Sequence, residues 1–120
     1  MKNSSRRAIA AAAGVVIGRR SISHVYDYAV GKYFPYSAQS SGSSMSGYDY
    51  ERSAHVSGNV SGENVNLYDY GHSAHVTVRF NGNQFTGYDY HTSSHFSGHV
   101  NGNAVAIYDH QVGQHFNYAV

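Results

Sequence analysis

Four histidines stand twenty residues apart, His55, His75, His95 and His115, and four aspartates keep the same interval, Asp49, Asp69, Asp89 and Asp109. Serines and tyrosines crowd around them. Three chemistries draw on such residues: a metal centre, a Ser-His-Asp hydrolase, and an aromatic, polar binding surface. A shared zinc needs ring nitrogens about 2 Å from the metal. A triad needs one distinctive nucleophile held by one His that one Asp orients. Copies spread at a fixed interval suit neither, and the elements that must carry them show why.

The chain returns to Tyr-Asp at Tyr26, Tyr48, Tyr68, Tyr88 and Tyr108, first after twenty-two residues and then after twenty each time. Each unit passes through a polar link (ERSA, GHSA, HTSS, QVGQ) into alternating residues. A Gly-bearing turn (SGEN at 61–64, NGNQ at 81–84, NGNA at 101–104) leads to a second alternating run. Asn-Gly between alternating apolar residues is the strongest short-range hairpin signal. One unit is therefore a β-hairpin, and such a unit must pair with its neighbours to bury its apolar side. The pattern predicts ten strands, at 23–28, 33–38, 45–50, 55–60, 65–70, 75–80, 85–90, 95–100, 105–110 and 115–120. The extra residues of the first unit are assigned to a longer loop at 39–44. Pro35, which has no N–H for a sheet ladder, marks an edge or an irregularity.

Side chains alternate across a strand. One face collects Val56, Gly58, Val60, Val65, Leu67, Val76, Val78, Phe80, Phe85, Phe96, Val100, Val105, Ile107 and Phe116, which makes it the core. The other collects Tyr48, Tyr50, His55, Tyr68, Tyr70, His75, Tyr88, Tyr90 and His95. With four-residue links, Tyr70 faces His75 and Tyr90 faces His95 across strands, pairs worth roughly 0.2–1 kcal/mol each. Histidines on strands two apart lie roughly 9–10 Å from each other, so the row reads as sheet pairing and no metal site, cofactor or catalytic residue is assigned. The aspartates fall on the core face at strand ends, where each carboxylate accepts N–H bonds from its loop. If the Gly turns have two residues, the register slips by about one residue per strand, and ten strands accumulate a shear near ten, enough to close a barrel. The core row alternates small and large residues (Gly47, Gly58, Leu67, Val78, Gly87, Gly98), as small barrels require. The predicted fold is all-β: an antiparallel up-and-down meander of about ten short strands, curled or closed into a barrel.

Residues 1–22 form a different segment, ahead of a single β-repeat domain at 23–120. Two arginines precede an apolar run from Ala8 to Gly18, too short to cross a bilayer, which takes about 20 residues. The run reads either as a signal of the secretory or twin-arginine kind or as a short Ala-rich helix, capped by Ser4 or Ser5 and stopped near Gly18. Export or the cell surface is favoured over the cytoplasm. The net charge is +1, and half of the basic residues (Arg6, Arg7, Arg19, Arg20) flank this run. The remainder is slightly acidic, which argues against nucleic acid as a partner. The chain has no Cys, hence no disulfide framework.

Tyr-Asp at twenty-residue spacing with a Gly-bearing turn resembles the YD repeats of Rhs-type and teneurin shells over residues 48–120. Those repeats place Gly three residues after Asp, where Ser53, Ser73 and Ser93 lie one position further along here. The paired aromatics are similar to choline-binding and glucan-binding repeats, without their Trp. Both are likenesses of architecture. The expected function is a binding or structural module that presents Tyr48, Tyr50, Tyr68, Tyr70, Tyr88, Tyr90, His55, His75 and His95 to a polymer such as a glycan, or to a protein partner. The alternative is a small barrel holding a hydrophobic ligand, with the N-terminal helix as lid and the glycine pairs leaving room.

Overall fold

The computed structural model describes all 120 residues. After helix α1 (Asn3–Val16) the chain forms β1 (Ile22–Asp27), β2 (Lys32–Ser41), β3 (Ser44–Asp49), β4 (Ala54–Ser61), β5 (Asn64–Asp69), β6 (Ala74–Asn81), β7 (Gln84–Asp89), β8 (Ser94–Asn101), β9 (Ala104–Asp109) and β10 (Gln114–Ala119). Each strand pairs antiparallel with its neighbours in sequence, and β1 meets β10 to close the barrel. The closing seam is short, with only Tyr26↔Ala119 and Asp27↔Tyr118 in register.

Closure follows from two unlike kinds of turn. At one end the links have four residues, as in Tyr70–Ser73 between Asp69 and Ala74. Ser53, Ser73 and Ser93 end three of these links in the left-handed region, and Gly31 and Gly113 do so in the other two. At the other end the turns have two residues. Gly42, Gly62, Gly82 and Gly102 each take φ near +61°, with a residue of negative φ after them. This is the type II′ turn, which fits the right-handed twist of the strands it joins. Gly is needed there because other residues rarely adopt this φ. The difference in loop length slides the register. One row passes from Val56 through Asp69 to Ala74, the repeat counterpart of Ala54, and so moves two residues per hairpin. Five hairpins give a shear of about ten, and strands tilted by roughly 35–45°.

The segment 39–44 is therefore not a long loop: β2 continues to Ser41 and turns at Gly42–Ser43. The two extra residues are taken up within β2, where the pairing with β1 shifts between Ile22↔Ala38 and His24↔Pro35. Pro35 sits at that irregularity.

An eight-stranded barrel is just filled by its own side chains, and a ten-stranded one is wider. Here α1 supplies the missing filling. Fourteen residues make a helix about 21 Å long, and it runs through the lumen rather than across the mouth. Ile9 and Ala10 to Ala13 are fully buried. A helix apolar all round is one that is buried all round, and the alanines let the strands approach it. Gly14 marks the tightest point, since a Cβ there would stand 2.7 Å from Val120 and 2.8 Å from Ile22. The helix has no side-chain cap. Lys2 occupies the N-cap and Ser4 and Ser5 lie inside the first turn, whereas the end at Val16, with Ile17 as C-cap, falls near Gly18 as expected.

The inner wall is the expected face: Val56, Val65, Leu67, Val76, Val78, Phe80, Phe85, Phe96, Val100, Val105 and Ile107 form one core cluster with the helix, and Val60 and Phe116, also expected there, are partly buried against it. The glycine pairs leave no room. Phe96 lies over its cross-strand partner Gly87, and Phe85 over Gly98, so an aromatic ring covers the bare backbone of that pair, while Gly58 has the Leu67 side chain against it and Gly47 the Ser37 and Val56 carbonyls.

Candidate functional site

The outer wall carries one aromatic cluster per hairpin. Tyr48 packs edge-on against Tyr50 at 4.9 Å and His55 at 4.8 Å. Tyr68 does the same with Tyr70 and His75, and Tyr88 with Tyr90 and His95, at 4.7–4.8 Å. Tyr108 with His110 and His115, and Tyr26 with Tyr28 and Tyr33, complete the ring. Edge-to-face packing suits the quadrupoles of aromatic rings. The cross-strand partner of each His is the first Tyr of its unit: Tyr48↔His55, Tyr68↔His75, Tyr88↔His95. The expected pairs Tyr70 with His75 and Tyr90 with His95 are corrected. The strand stops at Asp69, Asp49 and Asp89, so Tyr70, Tyr50 and Tyr90 are the first loop residues and fold back onto the pair. All nine expected site residues thus lie on one wall, in three clusters. Tyr50, Tyr70 and Tyr90 are 55%, 58% and 58% exposed, whereas Tyr48, Tyr68 and Tyr88 are half-buried.

Between clusters the wall is lined by short polar side chains. Ser57, Thr77 and Ser97 alternate with Ser46, Asn66 and Thr86. A spanning barrel carries an apolar band outside and polar groups within, and this barrel has the reverse. No helix is long and apolar enough to cross a membrane. Shallow grooves run over the wall. The most capacious, about 900 Å³, includes Asn66, Thr77, Arg79, Thr86, Tyr88 and Ser97 in its lining.

The second concentration of chemistry is the four-residue-loop rim, where the helix begins. Asp27, Asp49, Asp69, Asp89 and Asp109 are all buried there. Each accepts a backbone N–H two residues on, from Ala29, Glu51, Gly71, His91 and Gln111, as the sequence predicts. The cations facing them were not legible as such. The Met1 ammonium (3.1 Å) and Arg6 (2.8 Å) both reach Asp109, and Met1 also donates to Gln111. Arg7 pairs with Asp27 and Glu51, and Arg52 bridges Asp49 and Asp69 at 2.7 and 3.0 Å. Arg6 and Arg7 also lie over Phe116 and Phe34, 3.7 and 3.8 Å from the ring centres. Acidic groups around a helix N-terminus are favourable. Burial works to raise the Asp109 pKa, but the Met1 ammonium, the Gln111 N–H and Arg6 together hold it below the usual carboxylate range. Burial likewise opposes the Arg52 charge, and its hydrogen bonds to Asp69 and Asp49 outweigh that and raise its pKa. Two phenols face inward without hydrogen-bond partners, Tyr36 and Tyr118. Burial, then the charge of Asp27, pushes Tyr118 up to about 12.

His72 is the repeat counterpart of Arg52. It stacks on His91 at 4.2 Å and lies 2.9 Å from the Ser4 hydroxyl. Burial depresses its pKa more than the nearby Asp69 carboxylate raises it. Ser4 and His72 come nearest to a nucleophile and base, yet no carboxylate lies within 4.0 Å of His72 to orient it. No three His, Asp or Glu side chains converge as a metal-binding group.

Comparison with protein-family models, curated proteins and solved structures finds no match. The functional argument therefore rests on the wall and the rim themselves.

Proposed function

We propose that the chain is a non-catalytic binding module that grips a polymer, a glycan by preference, through the aromatic clusters of its outer wall. One observation carries the reading. The outer Tyr and His repeat without change at 48/55, 68/75, 88/95 and 108/115, while the inner wall varies freely from unit to unit. Sheet stability does not demand these residues, since Thr–Thr or charged cross-strand pairs contribute comparable amounts. Aromatic rings over half exposed, beside hydroxyl and amide side chains, are the groups that sugar recognition needs: a flat apolar surface with hydrogen-bonding partners at its rim. Export or surface display fits a partner of this kind. A hydrophobic ligand, the other use for a barrel, would have to displace α1 from the lumen.

The test is a printed array of polysaccharides and oligosaccharides, probed with the folded protein. Saccharide-specific retention is expected. An array with no retained sugar, or with binding spread evenly over unrelated surfaces, contradicts the reading.

A further inference from the structure

The repeated wall is uniform in its aromatics but not in its charge. Arg79 is the one charged side chain on the outward positions of β3 to β10. The equivalent position in neighbouring units holds Asn59 and His99. Arg79 is exposed and enters none of the molecule's ion pairs. Glu63, in the turn beside it, lies beyond ion-pair distance. Arg52, Arg6 and Arg7 neutralise buried aspartates at the rim, so Arg79 is a cation on the outer wall without an internal partner.

Its place in the sheet gives it one. Arg79 lies opposite Thr86, and the next outward pair towards the rim is Thr77 opposite Tyr88. Arg79 and Tyr88 are thus diagonal neighbours on the same face, about 7–8 Å apart along the backbone and within reach of long side chains. Both belong to the 900 Å³ groove, with Thr77, Thr86, Ser97 and Asn66 between them. Tyr88 is held by rings on two sides, Tyr90 at 4.8 Å and His95 at 4.7 Å.

We infer that this groove is the subsite for an acidic sugar unit, a uronic acid of a carboxylated polysaccharide, and this rests on the glycan reading above. The sugar ring packs on Tyr88 and His95, its hydroxyls meet the Thr, Ser and Asn side chains, and its carboxylate takes the planar fork of Arg79. Guanidinium and carboxylate match as a bidentate pair, which Lys or His cannot reproduce. The other units would accept neutral residues of the same chain, so the protein reads charge at one point along a polymer.

The experiment compares polygalacturonate with its fully methyl-esterified form, which keeps the sugar rings and loses the charge, using isothermal titration at low and physiological salt. Polyglutamate serves as an anion without sugar rings. Polygalacturonate should bind about tenfold or more tightly than the ester, with the preference shrinking in salt. Arg79→Gln, an exposed change that leaves the core untouched, should bring polygalacturonate down to the affinity of the ester and leave the ester unaffected. Equal affinity for the two polymers, an unchanged preference in Arg79→Gln, or polyglutamate binding as tightly as polygalacturonate overturns the inference. In each of these cases retention of the ester keeps the broader glycan reading standing. Failure of every saccharide to bind removes both.

Discussion

The two walls of this barrel answer to different demands. At equivalent inner positions the repeats hold Gly47, Leu67, Gly87 and Ile107, or Met45, Val65, Phe85 and Val105. Each choice is fitted to its neighbour: Phe85 covers Gly98, Phe96 covers Gly87, and the helix fills what is left. A packed interior tolerates many apolar solutions if the total volume is kept, so copies diverge. On the outer wall the Tyr and His at 48/55, 68/75, 88/95 and 108/115 are the same in every unit, although solvent would accept almost any polar residue. Identity where packing is strict can be explained by packing. Identity where packing is lax needs a different cause, and a repeated contact with something outside is the cause adopted here.

The sharpest way to break the contrast is to place one charge on each wall. Phe80→Asp, among Val76, Val78 and Phe85, should abolish folding, because an unpaired buried charge costs several kcal/mol. Thr77→Asp, one strand position past Val76 but outward, should shift the melting temperature by only a few degrees. Equal damage in circular-dichroism melts contradicts the wall assignment.

The rim comes next. Asp109→Asn leaves the Met1 ammonium and Arg6 buried without their carboxylate, and removal of one member of a buried ion pair costs about 3–5 kcal/mol. Urea denaturation measures it; a loss below about 1 kcal/mol would show that the helix start is not anchored there. A smaller effect is expected from Gly98→Ala. Its Cβ would press on the Phe85 ring and the Ala106 carbonyl, and overpacking costs about 1–3 kcal/mol. A neutral or stabilising result would mean that Phe85 does not cover this glycine.

The smallest effect is a pH dependence, and it compares two loops. Arg52 bridges two aspartates permanently, whereas its counterpart His72 sits between Asp69 and Asp89 with His91 stacked on it, Arg52 nearby and Ser4 at its edge. Its folded pKa is lowered, with burial the largest cause. The unfolded chain therefore binds this proton more readily, and stability should fall as pH drops below the ordinary 6.5. His72→Arg should remove that part of the fall by copying the Arg52 bridge towards Asp89, which has no cation of its own. Melting curves between pH 7.5 and 5.5 that are identical for the two proteins would count against this account of the loop.

The period, the ten strands, the two faces and the Asp turns were readable because each depends on local alternation and turn chemistry that recur in every unit. Closure was readable only conditionally, since it turned on whether Gly82 and its copies make two-residue turns. The one-step error in pairing Tyr70 with His75 has the same origin: the alternation continues through Tyr70, and only the left-handed Ser73 shows where the four-residue link begins and ends. The place of the helix was not readable. Arg6 and Arg7 before an apolar run describe a signal segment as well as a plug, and their true partners, Asp109 and Asp27, are far away in sequence. The groove around Arg79 has no sequence signal, because a lone exposed Arg gives no pattern until β5 to β8 lie side by side.

The central claim, that the repeated aromatics of the outer wall bind a polymer, is tested most directly by one comparison. The wild-type chain and the Tyr50→Ala/Tyr70→Ala/Tyr90→Ala variant, each shown by circular dichroism to retain the barrel, are measured for affinity to the saccharide best retained on the array. The account predicts at least a tenfold loss in the variant. Equal affinities would contradict it and return the tyrosines to a purely structural role.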